Sequence, residues 1–163
     1  MRTRPVFLAL ALAIAVSGAH AQELGQPGDA PAEASIVGPW VGTYTCGQGL
    51  TGISLTITEA GDGRAEALFH FYAVPENPGV PTGCFLQTGS YNPATRRVTL
   101  RGGQWLLQPP DYVTVGFSGQ FDRSGRRLTG KVIGPRGCTT FRMERREEST
   151  PVPARCRPQV AAR

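Results

Sequence analysis

Beyond residue 21 the sequence holds a single histidine, His70, so any Ser-His-Asp or Cys-His machine would have to be built on it. His70 and Glu66 lie on one side of a segment in which Ala67, Phe69 and Phe71 alternate with Glu66, Leu68, His70 and Tyr72. That period of two puts His70 on the outer face of a strand, where a solvated patch rather than a catalytic base is expected. The acids Glu59, Asp62, Glu76, Asp111 and Asp122 fall mostly in turn sequences, which leaves no facing carboxylate pair for glycoside chemistry. Gly47-Gln48-Gly49 has no following lysine or helix and so lacks the parts of a phosphate-cradling loop. Cys46, Cys84, Cys138 and Cys156 show no C-x-x-C spacing, so neither a zinc site nor a dithiol redox pair is expected. The reading is of a non-enzyme with no catalytic residue, metal or cofactor. The chemistry left is recognition: Gln48, Asn77, Trp105, Asp111 and Tyr112 sit in or beside the longer connections, where polar groups and aromatic rings could anchor a partner.

The compartment is set at the amino terminus. Arg2 and Arg4 precede a short apolar run, Val6 to Val16, and Ala19-His20-Ala21 is a small-residue cleavage site. This is the pattern of a signal peptide over residues 1–21, too short for a membrane-spanning helix. The mature chain is expected in the periplasm or outside the cell, where four cysteines imply two disulfides with three possible connectivities. The formal charge of +5 falls once Arg2 and Arg4 leave, and Lys131 is the one lysine. A basic chain invites a nucleic-acid reading, but export removes that partner and the arginines are scattered through turns and outward strand positions. Attraction to anionic envelope surfaces or acidic proteins remains compatible with the charge.

The elements that must position these residues are strands. Residues 22–37 read as a flexible polar leader. From Gly38 onward, alternation and turn chemistry predict about eight strands, at roughly 39–46, 51–59, 64–74, 83–91, 96–107, 111–121, 126–134 and 138–146. The fold class is all-β, a single antiparallel up-and-down meander closing into a small barrel over residues 38–146, followed by a Pro-rich tail at 147–163. The compact turns 59–63, 92–95 and 122–125 then share one end, and the longer loops 46–50, 75–82, 108–111 and 134–137 form an elaborated rim at the other.

Closure makes the first and last strands neighbours, which sets Cys46 beside Cys138. Elimination leaves Cys84 for Cys156, although a free or intermolecular Cys156 is an equal reading. At the tight end, Arg145 shares the inward parity of Phe141 and Met143 and would stack on Trp40 as a structural floor.

The segments at 38–57, 67–85, 107–121 and 134–145 resemble an uncharacterised family of exported bacterial β domains. Its start is W-x-G-x-Y-x-C (Trp40, Gly42, Tyr44, Cys46) and its end is G-C-T-x-F (Gly137, Cys138, Thr139, Phe141). Such domains stand alone or are appended to larger proteins, caspase-like peptidases among them. The resemblance implies an accessory or recognition module and brings no catalytic residues. A remoter likeness, through Tyr44-Thr45-Cys46 and the barrel plan, is to c-type lysozyme inhibitors and lipocalin-like barrels. The sequence is therefore read as a binding module of the envelope acting through its rim on a protein or surface polymer, an inhibitor of a lytic enzyme being a special case. The other reading is a carrier holding a small apolar ligand inside the barrel.

Overall fold

The alternation that predicts strands produces them. In the computed structural model, which describes residues 35–148 and 150–157, eight strands follow one another. They are β1 (Gly38–Cys46), β2 (Gly49–Gly61), β3 (Arg64–Tyr72), β4 (Gly83–Asn92), β5 (Arg97–Leu107), β6 (Gly116–Phe121), β7 (Arg127–Ile133) and β8 (Thr140–Arg145). Each pairs antiparallel with the next, and β8 returns to β1, so the sheet is a closed barrel. Closure gives every strand a partner on both sides, although β5 pairs with β6 over only part of its length.

Side chains of alternate residues fill the interior. Trp40, Phe69, Phe71, Phe85, Phe117 and Phe121 are fully buried there, with Ile53, Leu55, Leu100, Leu128 and Met143 between them. The rings make a continuous stack: Phe69 lies on Phe85 with centroids 4.4 Å apart, and Phe117 lies on Phe141 at 4.2 Å. Phe69 and Phe117 join the two pairs across the barrel at 5.4 Å. An eight-strand barrel has room for little beyond its own side chains, and this one is filled by aromatic carbon.

The tight end is a floor. Trp40 is completely buried, and the Arg145 guanidinium sits 5.4 Å from its ring centroid. Arg145 also donates to the carbonyls of Ser35 and Val37, and the Trp40 indole N–H donates to the Ile36 carbonyl at 3.0 Å. Ile36 is itself buried in the core. The end of the segment read as a leader thus belongs to the floor; the rest of that segment, with the signal-peptide residues, lies outside the described residues. The β2–β3 turn puts Asp62 and Gly63 both at positive φ, 49° and 76°, the pair of left-handed conformations a tight hairpin needs. In the β6–β7 turn, desolvation pushes the Asp122 carboxyl up. Hydrogen bonds from the Ser124 hydroxyl and the Arg127 and Arg126 amides, with the Arg127 charge, outweigh it and hold the carboxyl below its usual range.

Both disulfides are intramolecular, Cys46–Cys138 and Cys84–Cys156. The first closes the rim end of the β1–β8 seam across 92 residues of sequence, which in the chain-entropy model contributes about 4–5 kcal/mol. The second draws the tail, including a 3-10 turn at Ala154–Cys156, onto the outside of the barrel. There Leu68, Cys84 and Cys156 form a second apolar cluster with Leu86, Leu106, Leu107 and Val152.

The sixth strand departs from the sequence expectation. It begins at Gly116, not at 111, and residues 111–115 are irregular: Asp111 sits at φ 63° and Val113 is 60% exposed. The Val113-x-Val115 alternation imitates a strand, but Pro109 and Pro110 precede it and β5 pairs with β6 only from Arg97 to Leu100. The outer half of β5 is instead crossed by the loop, with Thr114 packed so closely on Gly102 that a Cβ there would collide with it.

The seam is equally close. A Cβ at Gly42 of β1 would overlap the Arg142 carbonyl and press on the Met143 Cα of β8. Gly42→Ala is expected to destabilise the protein by about 1–3 kcal/mol in chemical denaturation. Thr43→Ala, one residue along on the outer face, stays within about 0.5 kcal/mol. Equal effects would show that the seam is not tightly packed.

Candidate functional site

At the rim, loops from opposite sides of the barrel enclose a cavity of about 240 Å³. One wall is the β1–β8 side: the Cys46–Cys138 bridge, Gly47, Gln48, Pro135 and Arg136. The other is Phe71, Phe85 and the 108–115 loop, which contributes Asp111, Tyr112, Val113 and Val115. Its base is Tyr44, whose ring packs edge-on over Phe69 and Phe117 at 5.6 and 6.4 Å.

The walls are held from behind. Tyr112 stacks on Phe71 with centroids 5.3 Å apart and planes within 12°. The loop carrying it is fixed by Gln108 Nε2 donating to the Tyr112 carbonyl at 2.9 Å. Buried Gln87 reaches across from β4 to donate to the Val115 carbonyl, also at 2.9 Å. On the other wall, Gly137 adopts φ 91° and brings its backbone against Gly47.

The polar groups inside form one small cluster. Gln48 Nε2 donates to the Tyr44 hydroxyl at 3.0 Å and to Thr51 Oγ1 at 3.2 Å, and Thr51 donates on to the Gly49 carbonyl. Burial, then the neighbouring Tyr112 phenol, push the Tyr44 hydroxyl up; hydrogen bonding with the Gln48 and Thr51 side chains opposes this but does not cancel it. Tyr44 therefore stays neutral at any ordinary pH and offers a hydrogen bond, never a phenolate. Asp111 and Arg136 are exposed at the mouth.

Of the five residues predicted for the rim, the structure brings Gln48, Asp111 and Tyr112 into this cavity. Asn77 is a tether instead. Its side-chain amide donates to the carbonyls of Gln48 and Leu50 at 2.7 and 3.0 Å and ties the β3–β4 loop to the β1–β2 hairpin. Trp105 does not line the cavity. It is half-buried against the core rings, edge-on to Phe85 at 4.8 Å and to Phe71 at 6.3 Å, and supports the wall from behind. Sequence reasoning missed Tyr44 and Arg136 as cavity residues. The signal for Arg136 was its place in the four-residue loop Gly134–Gly137, next to Cys138.

His70 departs from the solvated patch expected of it. It faces outward, yet it is 5% exposed, and Ser54 beside it is 4% exposed. Tyr72 lies against its ring with centroids 5.3 Å apart. Its Nδ1 is 3.1 Å from Ser54 Oγ and its Nε2 is 3.0 Å from Thr82 Oγ1. Thr82 donates to the Phe71 carbonyl at 3.2 Å, so it accepts from Nε2–H, and Nδ1 accepts from Ser54. Burial lowers the His70 pKa, which keeps the ring neutral. The serine–imidazole contact has the first link of a nucleophilic triad, but the third member is a hydroxyl and Ser54 is not presented to a substrate. The arrangement pins the β3–β4 loop. No group of three or more His, Cys, Asp or Glu placed to hold a metal occurs among the described residues.

No protein-family model matches the chain, and no curated protein matches it significantly.

Because the folded state holds His70 below its usual 6.5, the unfolded chain binds more protons under mildly acidic conditions. Stability is expected to be full above about pH 7, to fall as the pH drops through the unfolded value near 6.5, and to level off below the folded value. His70→Gln abolishes that component, measured as denaturant midpoints between about pH 5 and 8. An unchanged pH profile in the variant would show that His70 is not the buried neutral group described.

Proposed function

We propose that this chain is an exported, non-enzymatic binding module that recognises a protein through its rim, taking one apolar or aromatic side chain of the partner into the Tyr44–Tyr112 cavity. The observation that carries this reading is the cavity itself: an aromatic-walled recess of about 240 Å³ over a barrel already filled with rings. Engineered cavities of roughly 150 Å³ hold a benzene, while drug-sized sites run to roughly 300–1,000 Å³. The recess therefore suits a single ring or branched side chain. Such a pocket, rimmed by Asp111, Gln48 and Arg136, has the build of a hot-spot receptor, with a desolvated centre and polar edges. The packed interior weighs against a carrier of a ligand within the barrel. Two disulfides and a signal-like amino terminus support an oxidising compartment, periplasmic or extracellular.

Photo-crosslinking from position 113 in intact envelopes, with position 124 on the opposite end as reference, tests the reading. One protein captured only from the rim position, and bound at least about tenfold more weakly by Tyr112→Ala, is the expected result. Equal capture from both ends, or native mass spectra showing a small apolar molecule bound inside the isolated protein, contradicts it. A lytic enzyme is one such partner, and inhibition of lysozyme at near-stoichiometric ratios would identify it.

A further inference from the structure

The cations of the barrel strands are not evenly distributed. β1, β2 and β4 contain no lysine or arginine, and β3 has only Arg64 at its first position. Strands β5, β7 and β8 carry Arg97, Arg101, Arg127, Lys131 and Arg142, all exposed, besides the floor residue Arg145, and the strands β5 to β8 hold one acid, Glu144, directly across from Arg127. Pairing register places four of these on one sheet face. One row across the strands reads Arg97, Gln120, Thr129, Arg142, and continues to Thr43 of β1. The adjacent row reads Thr99, Ser118, Lys131, Thr140. Arg142 is thus the diagonal neighbour of both Arg127 and Lys131, at about 7–8 Å, and Arg97 stands three strands away from it, about 14 Å. Among the described residues Arg97, Arg101, Lys131 and Arg142 make no side-chain hydrogen bond or ion pair.

Arg127 faces Glu144 across the strand pair and acts on Asp122 in the adjoining turn, whereas Lys131 and Arg142 are like charges at diagonal positions, and folding alone gains nothing from bringing them together. From this we infer a second binding surface, separate from the rim: the outer face of β5–β8 binds an anionic polysaccharide, a chain bearing carboxylates or phosphates on a hydroxyl-rich backbone. The other side chains of the two rows are Thr43, Thr99, Ser118, Gln120, Thr129 and Thr140, short donors and acceptors suited to sugar hydroxyls. Two other anionic partners fit less well. Phe117, Phe121 and Phe141 of these strands all point into the core, so neither row has a ring on which a nucleic acid base could stack. Neither row contains an apolar side chain to enter a membrane; exposed Ile133 lies beyond them at the end of β7.

Binding of the whole protein to polygalacturonate, a polyuronate probe, measured calorimetrically at low salt, tests this surface. Dextran, phosphatidylglycerol vesicles and single-stranded DNA serve as comparison probes. The expected result is salt-sensitive binding to polygalacturonate with none to dextran. The triple variant R127Q/K131Q/R142Q should raise the Kd at least about tenfold, while R64Q, at the start of β3 and away from this face, changes it less than about twofold. All substituted residues are exposed, and an unchanged near-ultraviolet circular dichroism spectrum confirms folding. Equal binding by the triple variant, no binding at low salt, or tighter binding to vesicles or DNA than to the polyuronate would overturn the inference. Tyr112→Ala leaves this binding intact, so the outcome is independent of the rim proposal.

Discussion

Everything at the rim depends on the return of β8 to β1. Five residue pairs, from Trp40↔Arg145 to Tyr44↔Phe141, zip the ends of the meander together. The seam is locked at both ends by different chemistry: the Cys46–Cys138 bridge at the rim, and the Arg145 guanidinium over Trp40 at the floor. Gly42 lets the two backbones approach where any side chain would hold them apart. Without this contact β1 and β8 would be free edges, the ring stack through Phe69 and Phe117 would open to water, and one wall of the cavity would be lost. That wall is made from the end of β1 and the loop before β8, which are neighbours only because the sheet closes.

Much of this could be read from the chain because the relevant constraints are local and periodic. Ile53, Leu55 and Ile57 alternate with Ser54, Thr56 and Thr58, and a period of two leaves no other way to bury one face. Eight such segments with short turns suffice to infer closure, and closure brings Cys46 to Cys138 and Arg145 to Trp40. What escaped the sequence lies where periodicity says nothing about what covers a residue. His70 has outward parity, yet Tyr72 and the loop bearing Thr82 enclose it. Trp105 sits where the β4–β5 register shifts, between Cys84 and Phe85 and again between Phe85 and Gln87, so parity could not say which side of the wall it would take. Asn77 looked like a rim contact because its loop is long; its two hydrogen bonds to the β1–β2 hairpin depend on a fold in space that spacing does not encode.

The molecule is strongly polarised for so small a barrel. Its interior is rings, and its β3–β5 exterior is partly sealed by the disulfide-held tail. The two surfaces proposed here for partners, the rim cavity and the cationic face of β5–β8, lie elsewhere on the barrel. A module carrying one pocket for a side chain and one charged face for a polymer could hold a protein at an envelope surface without chemistry of its own. The arginines read from sequence as scattered become a pattern only once strand register aligns them across the sheet.

The most direct test of closure is the disulfide map of the oxidised protein, obtained by proteolysis without reduction and mass spectrometry of the linked peptides. A closed ring predicts two linked species, one joining the peptides of Cys46 and Cys138 and the other those of Cys84 and Cys156. A peptide joining Cys46 to Cys84 or to Cys156 would contradict it, since neither residue lies next to the strand that completes the ring.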